Sequence, residues 1–293
     1  MFACAHIEGG ENLVRRMTAI IVLILIAASV TGCLSTEPPQ DVETPAELPS
    51  HEISPHHKAV ALQLTTANEN STTVFQYNYA EYLGDGRGIT FGIVGFTTGT
   101  YDGNVLIKYY TKLNPQNSLS KYIPALDAID GLPHTGNDGD SNDTTEGLDG
   151  FIEDVQSNTD PLFRQAQIDK MNDHYWMPAV KLFDELGAKY PLTQAFLYDM
   201  TVNHGKIGAK RMIDRTNIDL GGSPATGVDE TDYLSKLMDT RYSYLVSTSN
   251  PGSDRVNAYR RILEEGNVEL ETPIDYSVYG DEFLIDGDVY EEP

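Results

Sequence analysis

Apolar side chains recur every three or four positions along much of the chain, the spacing that places them on one face of a helix. The first such stripe runs from Val60 to Ala67, after Ser54-Pro55, where a capping serine precedes a proline at the first helical position. The pattern therefore predicts a helix that ends near Glu69. Downstream, the same periodicity predicts helices over residues 105–113, 119–129, 160–187 with a break near Pro178, 191–203, 229–246 and 254–265.

Only residues 89–100 read convincingly as β structure, because Ile, Val, Phe and Thr are concentrated there. They predict a small antiparallel hairpin or three-stranded sheet. Residues 276–285 look extended, and residues 131–150 form a polar, glycine-rich surface loop. Many helices around one small sheet predict an α+β domain, mainly helical and two-lobed, with a cleft between the lobes.

The N-terminal region reads as a targeting segment. Arg15 and Arg16 precede an apolar run over residues 19–30 that is too short to span a membrane. Residues 1–32 are predicted to be a signal peptide, whose true start is either Met1 or Met17. Residues 30–33, Val-Thr-Gly-Cys, resemble the lipobox of prokaryotic lipoproteins. This resemblance implies that Cys33 is lipidated and that the protein is extracellular, held at the cell surface; plain secretion and a retained anchor are the alternatives.

A proline- and glutamate-rich segment, residues 33–55, separates this signal from the rest of the chain. Few large apolar side chains occur in it, and its prolines favour an extended chain. We interpret it as a tether, followed by a folded domain over residues 56–293. The two cysteines, Cys4 and Cys33, both precede that domain, so it is expected to contain no disulfide.

The chain is strongly acidic: 44 acidic against 20 basic residues give a net charge of −24. Nucleic-acid binding is therefore not expected, since phosphate contacts need an excess of lysine and arginine. A cationic partner would be attracted; the alternative is that acidity serves solubility or salt tolerance. The histidines are scattered, so neither a metal site nor a cofactor is expected.

Two carboxylates stand out as candidate chemistry. Glu69 ends the first predicted helix, and Asp85 lies in a glycine-framed turn that continues through Arg87 to Thr90. A pair of this kind is typical of two-carboxylate glycoside hydrolysis, in which one carboxyl protonates the leaving oxygen and the other activates water. On position alone, a solvated helix-end carboxylate and a turn-supporting aspartate are equally valid readings.

Several ordered motifs narrow this choice. Read together, they resemble glycoside hydrolase family 46, the endo-chitosanases, over roughly residues 57–286. The motifs are Ala67-Asn68-Glu69-Asn70-Ser71, Gly84-Asp85-Gly86-Arg87-Gly88-Ile89-Thr90, residues 95–102, Trp176-Met177-Pro178, Tyr198-Asp199, Asn203-His204-Gly205 and residues 229–234.

The resemblance implies a lysozyme-like fold and inverting endo-hydrolysis of β-1,4-linked glucosamine chains. It makes Glu69 the general acid and Asp85 the general base, with Thr90 holding the attacking water. Asp102 matches a carboxylate that binds a substrate amine, and Tyr79, Arg87, His204 and Glu230 are the other candidate substrate-binding residues. Asp199 and Arg241 are expected to support the acid from behind.

Other interpretations of these residues stay open. Asp102 also suits a helix N-cap, Tyr79 core packing, His204 a backbone contact, and Glu230 a position that stabilises a helix start. For the whole chain, the alternatives are a lysozyme-like hydrolase of another amino-sugar polymer and a polysaccharide-binding lipoprotein without catalysis. Chitosan is the expected partner, and a monomer the expected state.

Overall fold

A computed structural model describes residues 53–133, 141–248 and 252–290, all within one compact unit, residues 47–293. The predicted signal peptide, Cys33 and nearly all of the tether lie outside these ranges. Within the described ranges, no helix combines the length and apolar character needed to cross a membrane. The helices are α1 Pro55–Asn70, α2 Asp102–Leu113, α3 Ile123–Asp130, α4 Phe151–Gln156, α5 Pro161–Met171, α6 Met177–Leu186, α7 Pro191–Leu220, α8 Glu230–Ser247 and α9 Ser253–Glu264.

The larger lobe is built around α7, whose residues 191–201 are all buried. Helices α1, α6 and α8 pack against α7, and α9 packs against α8. We predicted that this helix ends at Asn203, but it continues to Leu220 through a kink at Gly205, where φ is 64°. Glycine adopts that angle without a steric penalty, so the chain changes direction and resumes a helix.

The smaller lobe contains the predicted sheet together with α2 to α5. Its strands are β1 Ala80–Tyr82, β2 Ile89–Phe91 and β3 Phe96–Thr97, paired antiparallel in the order β1-β2-β3. Helix α2 contacts β3, α3 and α5, and α4 contacts β1. The sheet begins earlier than the apolar pattern indicates, because two of the three side chains of β1 are exposed and give no apolar signal.

A π-helical turn over Asn172–Trp176 joins α5 to α6 and thereby connects the lobes. We predicted a break at Pro178; the irregular turn lies just before it, since proline has no N–H for the carbonyl four residues earlier. Lys58 Nζ donates to Asn172 Oδ1 at 2.8 Å, and Thr201 Oγ1 donates to the Tyr175 carbonyl at 2.9 Å. The turn is thus fixed on both sides by the larger lobe.

The C-terminal segment forms a second hairpin, β4 Ile274–Val278 and β5 Asp281–Ile285, where the sequence indicated only an extended tail. Strand β4 packs on α9, and both strands contact α1. Gln63 of α1 accepts hydrogen bonds from the Asp286 and Gly287 amides, and Phe75 N donates to the Val289 carbonyl. The end of the chain therefore completes the packing around α1.

Candidate active site

Glu69 lies at the carboxyl end of α1, which stops at Ser71 in a left-handed conformation. Its side chain is 27% exposed, so a substrate can reach it. Glu69 Oε1 lies 2.6 Å from Arg255 Nη1, an ion pair between α1 and α9. The predicted catalytic acid is therefore held by an arginine that the sequence motifs did not indicate.

Arg255 is 4% exposed and uses its whole guanidinium. Besides Glu69, it donates from Nε to the Tyr279 hydroxyl at 3.2 Å and from Nη2 to the Asn68 carbonyl at 3.0 Å. Burial alone lowers the pKa of an arginine, but the carboxylates of Asp199 and Glu69 outweigh it, and the pKa of Arg255 is raised. The group is permanently charged and fixes the direction in which Glu69 points.

Asp199 and Arg241, the predicted supporting pair, form a fully buried ion pair with Oδ2 and Nη1 2.6 Å apart. Asp199 Oδ1 accepts a hydrogen bond from Asn68 Nδ2 at 2.8 Å and lies 3.7 Å from Arg255 Nη1. Burial raises the pKa of Asp199, but Arg255 and Arg241 more than offset it and the pKa is lowered. The chain of charges Arg241, Asp199, Arg255, Glu69 thus runs from the core to the surface.

His204 extends this chain beyond Arg241, towards a groove on the surface. Its Nε2 accepts a hydrogen bond from Arg241 Nε at 3.2 Å. Burial and the neighbouring Arg241 charge lower the pKa of His204 to about 3, so the ring is a neutral acceptor. It also lines a groove of about 1110 Å³ together with Arg211, Arg215 and Tyr244. The predicted substrate contact of His204 stays a prediction, beside a clear structural role.

Asp85 lies in the turn between β1 and β2, on the smaller lobe. Arg87 donates to both oxygens of its carboxylate. Arg87 Nε lies 2.9 Å and Nη2 2.5 Å from Asp85 Oδ2, and the Arg87 amide donates to Oδ1 at 3.2 Å. Gly84, Gly86 and Gly88 all have positive φ, which lets six residues reverse direction and present both charges outward. Asp85 is the more accessible carboxylate, with a side-chain exposure of 32%.

Thr90, in the middle strand β2, is 6% exposed. Its Oγ1 is buried and has no hydrogen-bond partner among the residues that the structure describes. A buried hydroxyl left in this state costs free energy unless water or a ligand satisfies it. The arrangement suits the predicted role of Thr90 in holding a water molecule.

Asp102 is the first residue of α2, but the N-cap position belongs to Tyr101. Asp102 Oδ1 accepts three hydrogen bonds, from the Thr97 amide, the Thr100 hydroxyl and the Gly103 amide, whereas Oδ2 has only the Tyr175 hydroxyl at 3.5 Å. One oxygen thus fixes the turn and the other is available to a ligand. Burial raises the pKa of Asp102.

Tyr175, on the π-helical turn, connects these groups. Burial raises the pKa of its hydroxyl, and the charges of Asp102 and Glu69 add to that effect while Arg87 opposes it. Burial lowers the pKa of Arg87, but the carboxylates of Asp85, Asp102 and Glu69 outweigh it. The pKa of Arg87 is therefore raised. Tyr175 donates to Asp102 Oδ2 from the turn that joins the lobes, and the charges of Asp102, Glu69 and Arg87 act on its hydroxyl. An irregular helical turn is the only signal that could have indicated Tyr175.

Two predicted substrate contacts have other partners. The Tyr79 hydroxyl donates to Glu81 Oε2 at 3.1 Å, and the half-buried ring lines a 290 Å³ groove with Arg164. Glu230 is buried; it accepts hydrogen bonds from the Lys189 and Tyr190 amides and the Thr193 hydroxyl. Those contacts fix the start of α7, and a contact of Glu230 with substrate stays a prediction.

No group of three or more histidine, cysteine or acidic side chains in the described ranges is arranged to hold a metal ion.

The model of glycosyl hydrolase family 46 matches residues 63–274, which include the whole of this site. The chain belongs to glycosyl hydrolase family 46. A chitosanase from Bacillus subtilis strain 168 is 39% identical over 76% of this chain and 82% of its own length. A Streptomyces sp. N174 chitosanase is 34% identical over 92% of this chain and 96% of its own length.

Solved structures agree with this family 46 assignment. A Gynuella sunshinyii GH46 chitosanase in complex with chitotetraose superposes with a TM-score of 0.73 at 34% identity, over 80% of this chain and 99% of that one. A native chitosanase from Bacillus subtilis MY002 gives a TM-score of 0.73 at 36% identity, over 80% of this chain and all of that one. The predicted family and its mainly helical, two-lobed, lysozyme-like fold are confirmed.

Proposed function

We propose that the protein cleaves chitosan internally, at β-1,4 linkages between glucosamine units, with inversion at the anomeric carbon. The observation that carries the proposal is the pair of carboxylates on opposite lobes, each fixed by its own arginine: Glu69 by Arg255 and Asp85 by Arg87. Two carboxyl groups with separate supports can take the separate acid and base roles that hydrolysis requires.

In this mechanism, Glu69 gives its proton to the glycosidic oxygen while the bond from that oxygen to the anomeric carbon breaks. Asp85 removes a proton from water, whose oxygen attacks the same carbon from the opposite face. The unsatisfied Thr90 hydroxyl orients that water. Inversion follows because the bond forms on the face opposite the bond that breaks.

The substrate class is supported by charge. Glucosamine units carry ammonium groups, which bind carboxylates through strong charge-assisted hydrogen bonds. The net charge of −24 attracts a cationic polymer, and Asp102 Oδ2 has one long hydrogen bond, from the Tyr175 hydroxyl, which leaves it capacity to accept another. A neutral polymer would gain less, because it offers the carboxylate only uncharged donors.

Hydrolysis of soluble chitosan by residues 34–293 tests the proposal, with partly acetylated chitin and peptidoglycan as competing substrates. We expect internal cleavage of chitosan, and NMR of a short oligomer should show the α-anomer as the first product. Glu69→Gln should reduce kcat by about a thousandfold or more while binding is retained. A β-anomer would exclude inversion, full activity of Glu69→Gln would exclude the assigned acid, and preference for another polymer would select that alternative.

We also propose that the protein is an extracellular, monomeric lipoprotein anchored through Cys33. A tether over residues 33–55 would extend up to about 70 Å at the polyproline II rise of roughly 3.1 Å per residue. Partition of the full-length chain into detergent, lost in Cys33→Ser with activity unchanged, would support anchoring. Equal partition of both proteins would exclude it, and light scattering after gel filtration measures the oligomeric state.

A further inference from the structure

Asp143 bridges the two strands that carry the Asp85 turn. Its Oδ1 accepts a hydrogen bond from the Gly88 amide at 3.1 Å, and its Oδ2 accepts one from the Tyr82 hydroxyl at 2.7 Å. Tyr82 pairs with Ile89 in the last rung of the β1–β2 ladder. Asp143 therefore closes the hairpin just where the chain leaves the sheet to form the turn.

Backbone hydrogen bonds at Arg87, Gly99 and Asn142 join three segments of the chain next to the same turn; we call this contact the backbone junction. The Gly99 amide donates to the Arg87 carbonyl at 2.9 Å, and the Asn142 amide donates to the Gly99 carbonyl at 2.9 Å. A Cβ on Gly99 would lie 1.8 Å from the Asn142 carbonyl oxygen. Such close packing brings Asp143, the next residue, to a fixed position beside the turn.

We propose that Asp143 is a positioning residue for hydrolysis, whose carboxylate orients the turn so that Asp85 faces the attacking water. The inference rests on the proposed function, in which Asp85 is the general base. Arg87 fixes the Asp85 side chain, but that arginine belongs to the same turn and moves with it. Asp143 connects the turn to a separate segment of the chain, so its carboxylate sets the orientation of the turn together with the backbone bond from Gly99.

Asp143 is exposed, and hydrogen bonds at the surface contribute little to global stability. The orientation of a general base matters far more, since small displacements of a reacting group reduce the rate strongly. Loss of Asp143 should therefore appear in kcat while the melting temperature changes little. This separates a positioning role from a merely structural one.

Steady-state kinetics on a chitosan oligomer can test this in four variants. Asp143→Ala removes both contacts, Tyr82→Phe removes one, and Asp143→Asn keeps an acceptor for the Gly88 amide. Glu146→Ala makes the same charge change at an exposed position nearby. We expect Asp143→Ala to lower kcat about tenfold with KM within about twofold, Tyr82→Phe to lower it less, and the other two to stay near wild type.

A double variant connects the effect to the base. In an Asp85→Asn background, Asp143→Ala should cause no further loss. An unchanged kcat in Asp143→Ala, a rise in KM alone, an equal loss in Glu146→Ala, or an additive loss in the double variant would each overturn the proposal. Hydrogen exchange at the Gly88 amide should accelerate in Asp143→Ala whatever the substrate is; inactivity of the wild type on chitosan would instead contradict the proposed function.

Discussion

Arg255 and Glu69 are 186 positions apart in the sequence, yet their side chains form an ion pair of 2.6 Å. The same arginine nitrogen lies 3.7 Å from buried Asp199, so one guanidinium connects the candidate acid to the protein core. The position of Glu69 therefore depends on the packing of α9 against the rest of the larger lobe, and not on α1 alone.

Replacement of Arg255 should affect both stability and activity. Arg255→Ala leaves Asp199 and Glu69 short of a counter-charge, and removing one partner of a buried pair costs about 3–5 kcal/mol. We expect a clear drop in the free energy of unfolding, measured in urea, and a fall in kcat of at least a hundredfold. Arg255→Lys keeps the charge without the planar fork and should recover stability better than kcat. Equal recovery of both would show that charge alone is needed.

The Arg241–Asp199 pair offers a second test, on stability. Arg241→Met keeps the volume but leaves Asp199 with fewer compensating contacts, which should cost about 3 kcal/mol in the free energy of unfolding. Lys236→Met on the same helix breaks an exposed contact with Asp219 and should cost less than about 1 kcal/mol. Similar losses in the two variants would contradict the strong burial of the first pair.

His204 should make stability sensitive to mild acid. Its folded-state pKa is about 3 against an ordinary value of 6.5, so the unfolded chain binds a proton between these values and the folded chain does not. The contribution of neutral His204 to the free energy of unfolding is fully present above pH 6.5 and is lost as the pH falls from 6.5 towards 3. His204→Gln keeps an acceptor for Arg241 but cannot titrate, so its melting temperature should fall less between pH 6.5 and pH 5. Equal falls in the melting temperatures of the wild type and His204→Gln over this pH range would contradict the role of His204.

Asp102 should control the pH dependence of substrate binding. Burial raises its pKa, so it begins to take up a proton above the usual carboxyl range of about 3.9. Only the ionised form attracts an ammonium, so KM for a chitosan oligomer should rise as the pH falls towards 4. The substrate amine becomes more charged over that range and cannot explain the rise. Asp102→Asn should show a high KM without this dependence; a flat wild-type profile would exclude the role.

Gly99 tests the backbone junction below the Asp85 turn. In Gly99→Ala the new methyl group would overlap the Asn142 and Arg87 carbonyl oxygens, at 1.8 and 2.8 Å, so backbone must shift. We expect a loss of about 3 kcal/mol or more. Gly86→Ala meets no atom within 4 Å and carries only the strain of its positive φ of 91°, about 1–2 kcal/mol. Comparable losses in the free energy of unfolding of Gly99→Ala and Gly86→Ala would show that the backbone around Gly99 can shift to accept a methyl group.

The local signals in the sequence identified much of the fold. Ser54 caps α1 and accepts a hydrogen bond from the His57 amide, as the Ser-Pro pattern indicates. Short edge elements were harder: β1 has little apolar periodicity, and the β4–β5 hairpin is stabilised by its contacts with α9 and α1. Tertiary packing decides such segments, and no local pattern records it.

The residues of the candidate site show the same contrast: local sequence signals indicate some of them, and tertiary packing alone brings in the others. Glu69, Asp85 and Asp199 were predicted from ordered local motifs, whereas Arg241 lies outside those motifs and was predicted from the resemblance to the family; the structure pairs it with Asp199. Arg255 and Tyr175 lacked such a pattern, and both reach the site only through the packing of distant elements. The substrate contact of Glu230 stays a prediction; in the structure, its buried carboxylate stabilises the start of α7.

The contacts of the C-terminal hairpin have a consequence for the order of events in synthesis. Tyr276 of β4 donates to Asn68 Oδ1 at 2.7 Å, and Asn68 in turn supports Asp199 beside the candidate acid. Ribosomes make residues 68 and 69 long before residue 276, so the acid has its full set of neighbours only after the β4–β5 hairpin has been synthesised. A nascent chain would remain without a finished catalytic centre until this hairpin has left the ribosome.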